Sequence, residues 1–121
     1  LTAETHHRMA AAEFALMKPN AWLLNTSRGP VVDQPALVAA LQAGKLAGAV
    51  LDVLETEPPA ADDPLLSMPN VLLLPHIGSA TEETRAAMLD LSVRNLVAVL
   101  GGHPPPECVN PGVLPRALQR R

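Results

Sequence analysis

The hydrophobic positions of the chain fall into three short apolar runs, each followed by a polar segment. The runs occupy residues 22–26, 47–52 and 71–74. Runs of this length that are apolar almost throughout are typical of strands buried on both faces of a parallel sheet. The sequence therefore predicts three strands at these positions.

Helical patterns lie before, between and after the three runs. The segment Thr2–Lys18 is interpreted as a connector and a helix that Pro19 ends. A second helix is predicted over 34–43, because Asp33 is a suitable N-cap and Gly44 a suitable left-handed stop. Its buried face is expected to contain three apolar side chains: Leu37, Ala40 and Leu41.

A longer helix is predicted over 81–100. Ser79 or Thr81 can cap it, and acidic residues in its first turn complement the positive helix end. Apolar residues cover much of its circumference, which indicates a helix packed between layers. The order strand, helix, strand, loop, strand predicts an α/β fold with a parallel sheet covered on both faces.

Composition narrows the classes of protein. A chain of 121 residues is at most one domain, and 48% hydrophobic with 17% charged residues is ordinary for a globular chain. The net charge of −3 gives no basic surface for nucleic acid. The single cysteine, Cys108, fits a reducing cytoplasm, and no apolar run approaches the roughly 20 residues that span a membrane. We therefore expect a cytoplasmic protein without nucleic-acid or membrane partners.

Three chemically distinct side chains follow the three predicted strands. They are a guanidinium, a carboxylate and an imidazole, at Arg28, Glu57 and His76. In open α/β sheets, ligands bind beyond the carboxyl ends of the strands. This set suits a reaction in which a substrate carboxylate is held and a proton is transferred.

The remaining candidate residues point to no second chemistry. His6, His7 and His103 have no partner at metal-ligand spacing, so we interpret them as solvated or capping residues and expect no metal. Cys108 lies in a proline-rich tail without a paired base and is not expected to act as a nucleophile.

Three motifs resemble those of the D-isomer-specific 2-hydroxyacid dehydrogenases. They are NTSRGPVVD at 25–33, LDVLETEP at 51–58 and LPHIGSAT at 74–81. The GSAT variant and the ending ECVNP at 107–111 look most like the bacterial glyoxylate/hydroxypyruvate reductases, which also include 2-ketogluconate reductases.

The resemblance implies a specific fold and domain organisation. Residues 1–77 would form the second half of a doubly wound, Rossmann-type NAD(P)-binding domain. Residues 78–121 would form a crossover helix and tail that belong with the substrate domain. Complete members are well over twice this length, and no G-x-G-x-x-G occurs here. The chain is therefore expected to be the carboxyl-terminal portion of such an enzyme.

The resemblance also implies roles for the three polar side chains. Arg28 would bind the carboxylate and carbonyl oxygens of a 2-keto acid. His76 would donate the proton, and Glu57 would pair with its ring, orient it and favour its charged form. Glu55 is a rival to Glu57, but its offset from Asp52 does not match the family spacing, so we interpret it as a solvated loop residue.

Further residues would contact a cofactor, NAD or NADP. Asp52 would lie beside the nicotinamide end, with Thr26 and Ser27 approaching mainly through backbone groups and Gly78 permitting close contact. The full set of implied cofactor contacts is Thr26, Ser27, Arg28, Asp52, His76, Gly78 and Ser79.

The function implied is NAD(P)-dependent reduction of small 2-keto acids, such as glyoxylate or hydroxypyruvate, by a protein that is a homodimer at full length. Two alternatives stay open. One is a corepressor-like NAD-binding protein of the same fold, in which a partner-binding surface would matter more than turnover. The other is an inactive fragment.

Overall fold

The computed structural model describes residues 1–114. The end of the predicted segment 78–121, with its basic residues Arg116, Arg120 and Arg121, lies outside the described residues. Three strands and three α-helices are present: α1 (Ala11–Leu16), β1 (Trp22–Asn25), α2 (Gln34–Gln42), β2 (Gly48–Leu51), β3 (Val71–Leu73) and α3 (Glu82–Leu100). Short 3₁₀ turns occur at Gly29–Val31, Pro64–Leu66 and Pro111–Val113.

The helix boundaries follow local signals. The Asp33 carboxylate accepts a hydrogen bond from the backbone N–H of Ala36 at 2.9 Å, which caps α2. Gly44 follows its end with φ +65°, a left-handed conformation that glycine adopts at low cost. The Thr81 hydroxyl accepts from the Thr84 N–H at 3.2 Å, so Thr81 rather than Ser79 caps α3.

The three strands form one parallel sheet in the order β1-β2-β3. The parallel pairing predicted from the apolar runs is thus confirmed, with each strand within one residue of its predicted ends. Asn25 pairs with Leu51, and Leu51 with Leu73, so the three strands end in the same row. The loops that follow them therefore start at one edge of the sheet.

One face of the sheet packs on α1 and α2, and the other is exposed. The buried cluster on the first face consists of Phe14, Leu23, Val32, Leu37, Ala40, Leu41, Leu46, Ala49, Leu51 and Leu65. Neighbouring strand residues point the opposite way. Trp22, Leu24 and Leu72 are accordingly at least half exposed.

The chain divides into two compact units, Leu1–Gly78 and Ser79–Arg121. The first contains the sheet. In the second, the side chain of Asn95 on α3 accepts a hydrogen bond from the Glu107 N–H at 3.1 Å, which ties the following segment to the helix. No residue of α3 is buried. Within the described part of the chain the helix is therefore not packed between layers, contrary to the prediction. Assignment of the second segment to a substrate domain stays a prediction.

No helix within residues 1–114 has the length and apolar character needed to cross a membrane.

Candidate active site

Glu57 and His76 come together at the carboxyl edge of the sheet. His76 Nδ1 lies 2.7 Å from Glu57 Oε2, which confirms the contact predicted between them. The second carboxylate oxygen, Oε1, accepts the backbone N–H of Leu54 at 2.8 Å. Because both oxygens are engaged, the carboxylate plane is fixed and with it the orientation of the imidazole. The ring nitrogen that remains for a ligand is Nε2.

The two contacts change the acidity of Glu57. The hydrogen bond with His76 and, after it, the one from the Leu54 N–H lower the pKa of the Glu57 carboxyl below its ordinary value. Because the pKa of Glu57 is lower in the folded protein than in the unfolded chain, the carboxylate stabilises the fold at any pH above the unfolded-state pKa. This stabilisation is lost as the pH falls through the lowered, folded-state pKa. At neutral pH Glu57 is therefore an anion facing His76.

His76 occupies an unusual backbone conformation, and Asp52 holds the chain beyond it. His76 has φ +55°, in the left-handed region that residues with a Cβ rarely adopt. The Asp52 carboxylate, 3% exposed, accepts the N–H of Ile77 at 2.8 Å and that of Gly78 at 2.7 Å. A Cβ on Gly78 would lie 3.0 Å from Asp52 Oδ2, which makes a side chain there tight. Asp52 thus fixes the loop that carries His76, which the sequence did not indicate.

Arg28 lies on a turn that the buried side chain of Asn25 organises. Asn25 Nδ2 donates to the Arg28 carbonyl oxygen at 2.9 Å, and its Oδ1 accepts from the Ser27 N–H and hydroxyl at 3.1 and 2.8 Å. The Arg28 side chain is exposed, and its Nη1 donates to the Ser27 carbonyl oxygen at 2.6 Å. Its predicted convergence with Glu57 and His76 on a substrate stays a prediction.

The turn after β1 packs closely on the loop after β2. A Cβ on Gly29 would overlap the carbonyl group of Leu54. The absence of a side chain at Gly29 therefore allows the backbone that follows Arg28 to touch the backbone that supports Glu57.

A cavity of about 240 Å³ adjoins the Glu57–His76 pair. Its walls are largely apolar and consist of Asp52, Leu54, Glu57, Pro58, Pro59, Leu74, Pro75 and His76. A larger, more open cleft of about 560 Å³ is lined by α2 and the loop that follows Glu55. The smaller cavity is the candidate site, because Glu57 and His76, which contact each other, both line it.

The cofactor residues predicted at this edge are spread over both units. Thr26 and Ser27 are exposed directly after β1. Ser27 uses its N–H and its carbonyl oxygen in the contacts with Asn25 and Arg28. Ser79 begins the second unit and is exposed. Their contacts with a cofactor stay predictions.

Glu55 and His7 are not the solvated residues that the sequence predicted. His7 Nε2 lies 2.5 Å from Glu55 Oε1, and the Gln34 N–H donates to Glu55 Oε2 at 3.3 Å. His6 is exposed and stacks on His7, with ring centroids 4.0 Å apart. The interpretation of His7 and Glu55 was wrong because they are 48 residues apart, and no local pattern connects them. Within residues 1–114, no three or more His, Cys, Asp or Glu side chains are grouped so as to hold a metal ion.

Comparison with known proteins identifies close relatives. Residues 1–78 match the family model described as D-isomer specific 2-hydroxyacid dehydrogenase, NAD binding domain. The glyoxylate/hydroxypyruvate reductase B of Citrobacter koseri is 57% identical over 113 residues, which cover 93% of this chain and 35% of that protein. The chain thus spans about a third of the length of the curated relatives it matches.

Solved structures show the same fold. A protein from Thermus thermophilus superposes with a TM-score of 0.81 at 49% identity, covering 90% of this chain and 35% of its own. An NADPH-dependent glyoxylate/hydroxypyruvate reductase from Sinorhizobium meliloti, crystallised with NADP and malonate, gives a TM-score of 0.75 at 50% identity. The match covers 80% of this chain and 30% of that one.

Proposed function

The chain belongs to the D-isomer-specific 2-hydroxyacid dehydrogenase family, and from that premise we propose that the whole protein reduces small 2-keto acids such as glyoxylate or hydroxypyruvate to D-2-hydroxy acids. The observation that carries the proposal is the Glu57–His76 contact beside a cavity at the carboxyl edge of the sheet. A carboxylate bound to one imidazole nitrogen, with the other nitrogen left for a ligand, is the arrangement of a general acid.

His76 is the proton donor in this proposal. With Nδ1 held by Glu57, the imidazolium gives the proton on Nε2 to the carbonyl oxygen of the keto acid as that oxygen gains negative charge. Glu57 then faces a neutral ring, and a proton from solvent restores the imidazolium. In the reverse direction the neutral ring takes the hydroxyl proton of the hydroxy acid.

Arg28 is the substrate anchor. Its guanidinium offers parallel N–H donors to the substrate carboxylate and to the adjacent carbonyl oxygen. The side chain is exposed, and its contact to Ser27 is local, so a ligand carboxylate can replace it. Arg28 follows β1 and Asp52 follows the neighbouring strand β2. This arrangement suits a ligand that contacts the loops after both strands.

The edge of the sheet has polar groups suited to the nicotinamide end of NAD or NADP. A carboxylate has about four acceptor positions. The Asp52 carboxylate is engaged by two backbone N–H groups and retains acceptor capacity for a carboxamide. Thr26, Ser27, Gly78 and Ser79 would supply the remaining contacts. The chemistry that such a cofactor supplies when bound is hydride donation.

We also propose that the whole protein is a cytoplasmic homodimer. The low cysteine content supports a reducing compartment. Sedimentation of the whole protein at several concentrations tests the dimer, and a single monomeric species throughout would contradict it.

The activity is tested by following NADH and NADPH absorbance with glyoxylate and hydroxypyruvate added to the whole protein. We expect saturable oxidation of at least one of the two cofactors. Chiral analysis of the product formed from hydroxypyruvate should give the D-isomer. No oxidation with any of the four combinations, or an L-product, would overturn the proposal.

A further inference from the structure

A second set of hydrogen bonds joins the turn of Arg28 to the loop of Glu57, and it is centred on His7. The backbone N–H of His7 donates to the carbonyl oxygen of Pro30 at 2.8 Å, two residues after Arg28. Its side chain lies 2.5 Å from the carboxylate of Glu55, two residues before Glu57. One residue thus contacts both segments that the proposed reaction uses.

Glu55 is held from a second direction by the first residue of α2. Gln34 donates its backbone N–H to the Glu55 carboxylate at 3.3 Å and accepts the Glu55 N–H on its side chain at 3.1 Å. The same side chain donates to Asp63 at 2.7 Å. Leu54, whose N–H fixes the Glu57 carboxylate, is the residue next to Glu55. A displacement of Glu55 therefore moves a donor on which Glu57 depends.

The backbone of His7 has a left-handed conformation that glycine would adopt without strain. Its φ is +50°, a left-handed conformation that is unfavourable for most residues with a Cβ. Glycine adopts it readily. Histidine occurs in this region more often than most residues with a Cβ, and here its ring contacts the Glu55 carboxylate. The ring and the Glu55 carboxylate are 34% and 27% exposed, so water screens their contact only partly.

We propose that His7 and Glu55 are positioning residues: they keep Glu57, and through it the His76 ring, in fixed relation to Arg28. The inference rests on the proposed function, since it assigns the pair a role in that proton transfer. Neither residue touches the substrate. Their effect on catalysis is indirect, through the loop that ends at Glu57.

The test compares His7→Gly, Glu55→Gln and the control His103→Gln, a histidine exposed after α3, in the whole protein. His7→Gly keeps the left-handed backbone without strain and removes only the ring. We expect kcat to fall about 10- to 100-fold in both test variants, the range for a slightly misplaced reacting group, with KM for the keto acid little changed. His103→Gln should leave both constants unchanged.

A second readout separates positioning from general destabilisation. The NMR titration midpoint of the Glu57 carboxyl should move to higher pH in His7→Gly and Glu55→Gln, because a displaced loop weakens the hydrogen bonds from the His76 ring and the Leu54 N–H that keep the pKa of this carboxyl low. If His7→Gly does not fold, His7→Asn replaces it, since asparagine also tolerates the left-handed region. Native kcat together with an unmoved Glu57 titration would overturn the proposal.

A double-mutant cycle with Glu57→Gln tests whether the effect passes through Glu57. His7→Gly should lower kcat little further in the Glu57→Gln background. An undiminished additional loss would show that His7 acts by another route, and the proposal would be wrong. If the unmodified protein reduces no keto acid, the proposed function fails, whereas the Glu57 titration still decides whether His7 and Glu55 position the pair.

Discussion

At the scale of single residues, the site depends on a carboxylate that has two partners. Glu57 contacts the His76 ring with one oxygen and the Leu54 N–H with the other, so ring and loop are fixed together. We predict that His76→Gln lowers kcat of the whole protein by roughly 10²–10⁴, the range for loss of a general acid. Steady-state kinetics with hydroxypyruvate measures this. Glu57→Gln should cost less, because the ring remains, and near-native turnover of His76→Gln would refute the assignment.

Arg28 is predicted to affect substrate recognition more than turnover. Arg28→Ala should lower kcat/KM for the keto acid strongly, by about 10-fold or more for each lost hydrogen bond to a charged group. Arg28→Lys keeps the charge and loses the planar fork. Its kcat/KM should therefore lie between that of the unmodified protein and that of Arg28→Ala. Arg94→Ala is the matched control, because Arg94 pairs with Asp90 on the surface of α3 at 2.9 Å. Equal kinetics for Arg28→Ala and the control would contradict the anchor role.

The acidity of Glu57 can be measured directly. We predict that the side-chain carboxyl of Glu57 titrates below its ordinary pKa, because hydrogen bonds from His76 and from Leu54 stabilise the anion. In His76→Ala the larger of these causes is absent, so the midpoint should rise. Carbon-detected NMR between acid and neutral pH gives both midpoints. A midpoint that does not change on removal of the ring would show that the contact is not formed in solution.

At the scale of elements, the contact between the turn after β1 and the loop after β2 determines the edge of the site. Gly29→Ala would place a methyl group against the Leu54 carbonyl, so we predict destabilisation of at least about 1–3 kcal/mol. Urea denaturation measures it. Gly112→Ala is the matched control, since a Cβ there meets nothing within 4 Å. A Gly29→Ala protein as stable as the control would mean that the two loops are not in contact.

The elements themselves could be predicted because their signals are local. The cap at Asp33 and the stop at Gly44 act within a few residues of α2, and apolar runs give the strands to within a residue. The Asn25 turn also has a local signal, since asparagine side chains readily form hydrogen bonds with backbone groups two or three residues ahead. The His7–Glu55 pair had no such signal, because only the tertiary fold brings the two residues together.

At the scale of the whole molecule, the residues proposed to contact a cofactor would lie at its nicotinamide end, and the sequence has no glycine-rich phosphate turn. Pyrophosphate binding in this kind of fold needs backbone N–H groups at a helix amino terminus that follows such a turn. We therefore predict that the isolated chain does not bind NADH or NADPH tightly. Cofactor fluorescence during titration measures binding, and saturation at low micromolar concentration would prove this prediction wrong.

Two acidic residues hold different parts of the loop that carries His76, and this has a consequence for the proposed turnover. Asp52 binds the amides beyond His76, and Glu57 binds the ring. In the proposed cycle the imidazole alternates between a charged and a neutral form, which changes its attraction to Glu57. The hydrogen bonds from the Ile77 and Gly78 amides to Asp52 do not involve the ring, so they are present in either form. We therefore expect the loop to keep its position through repeated cycles.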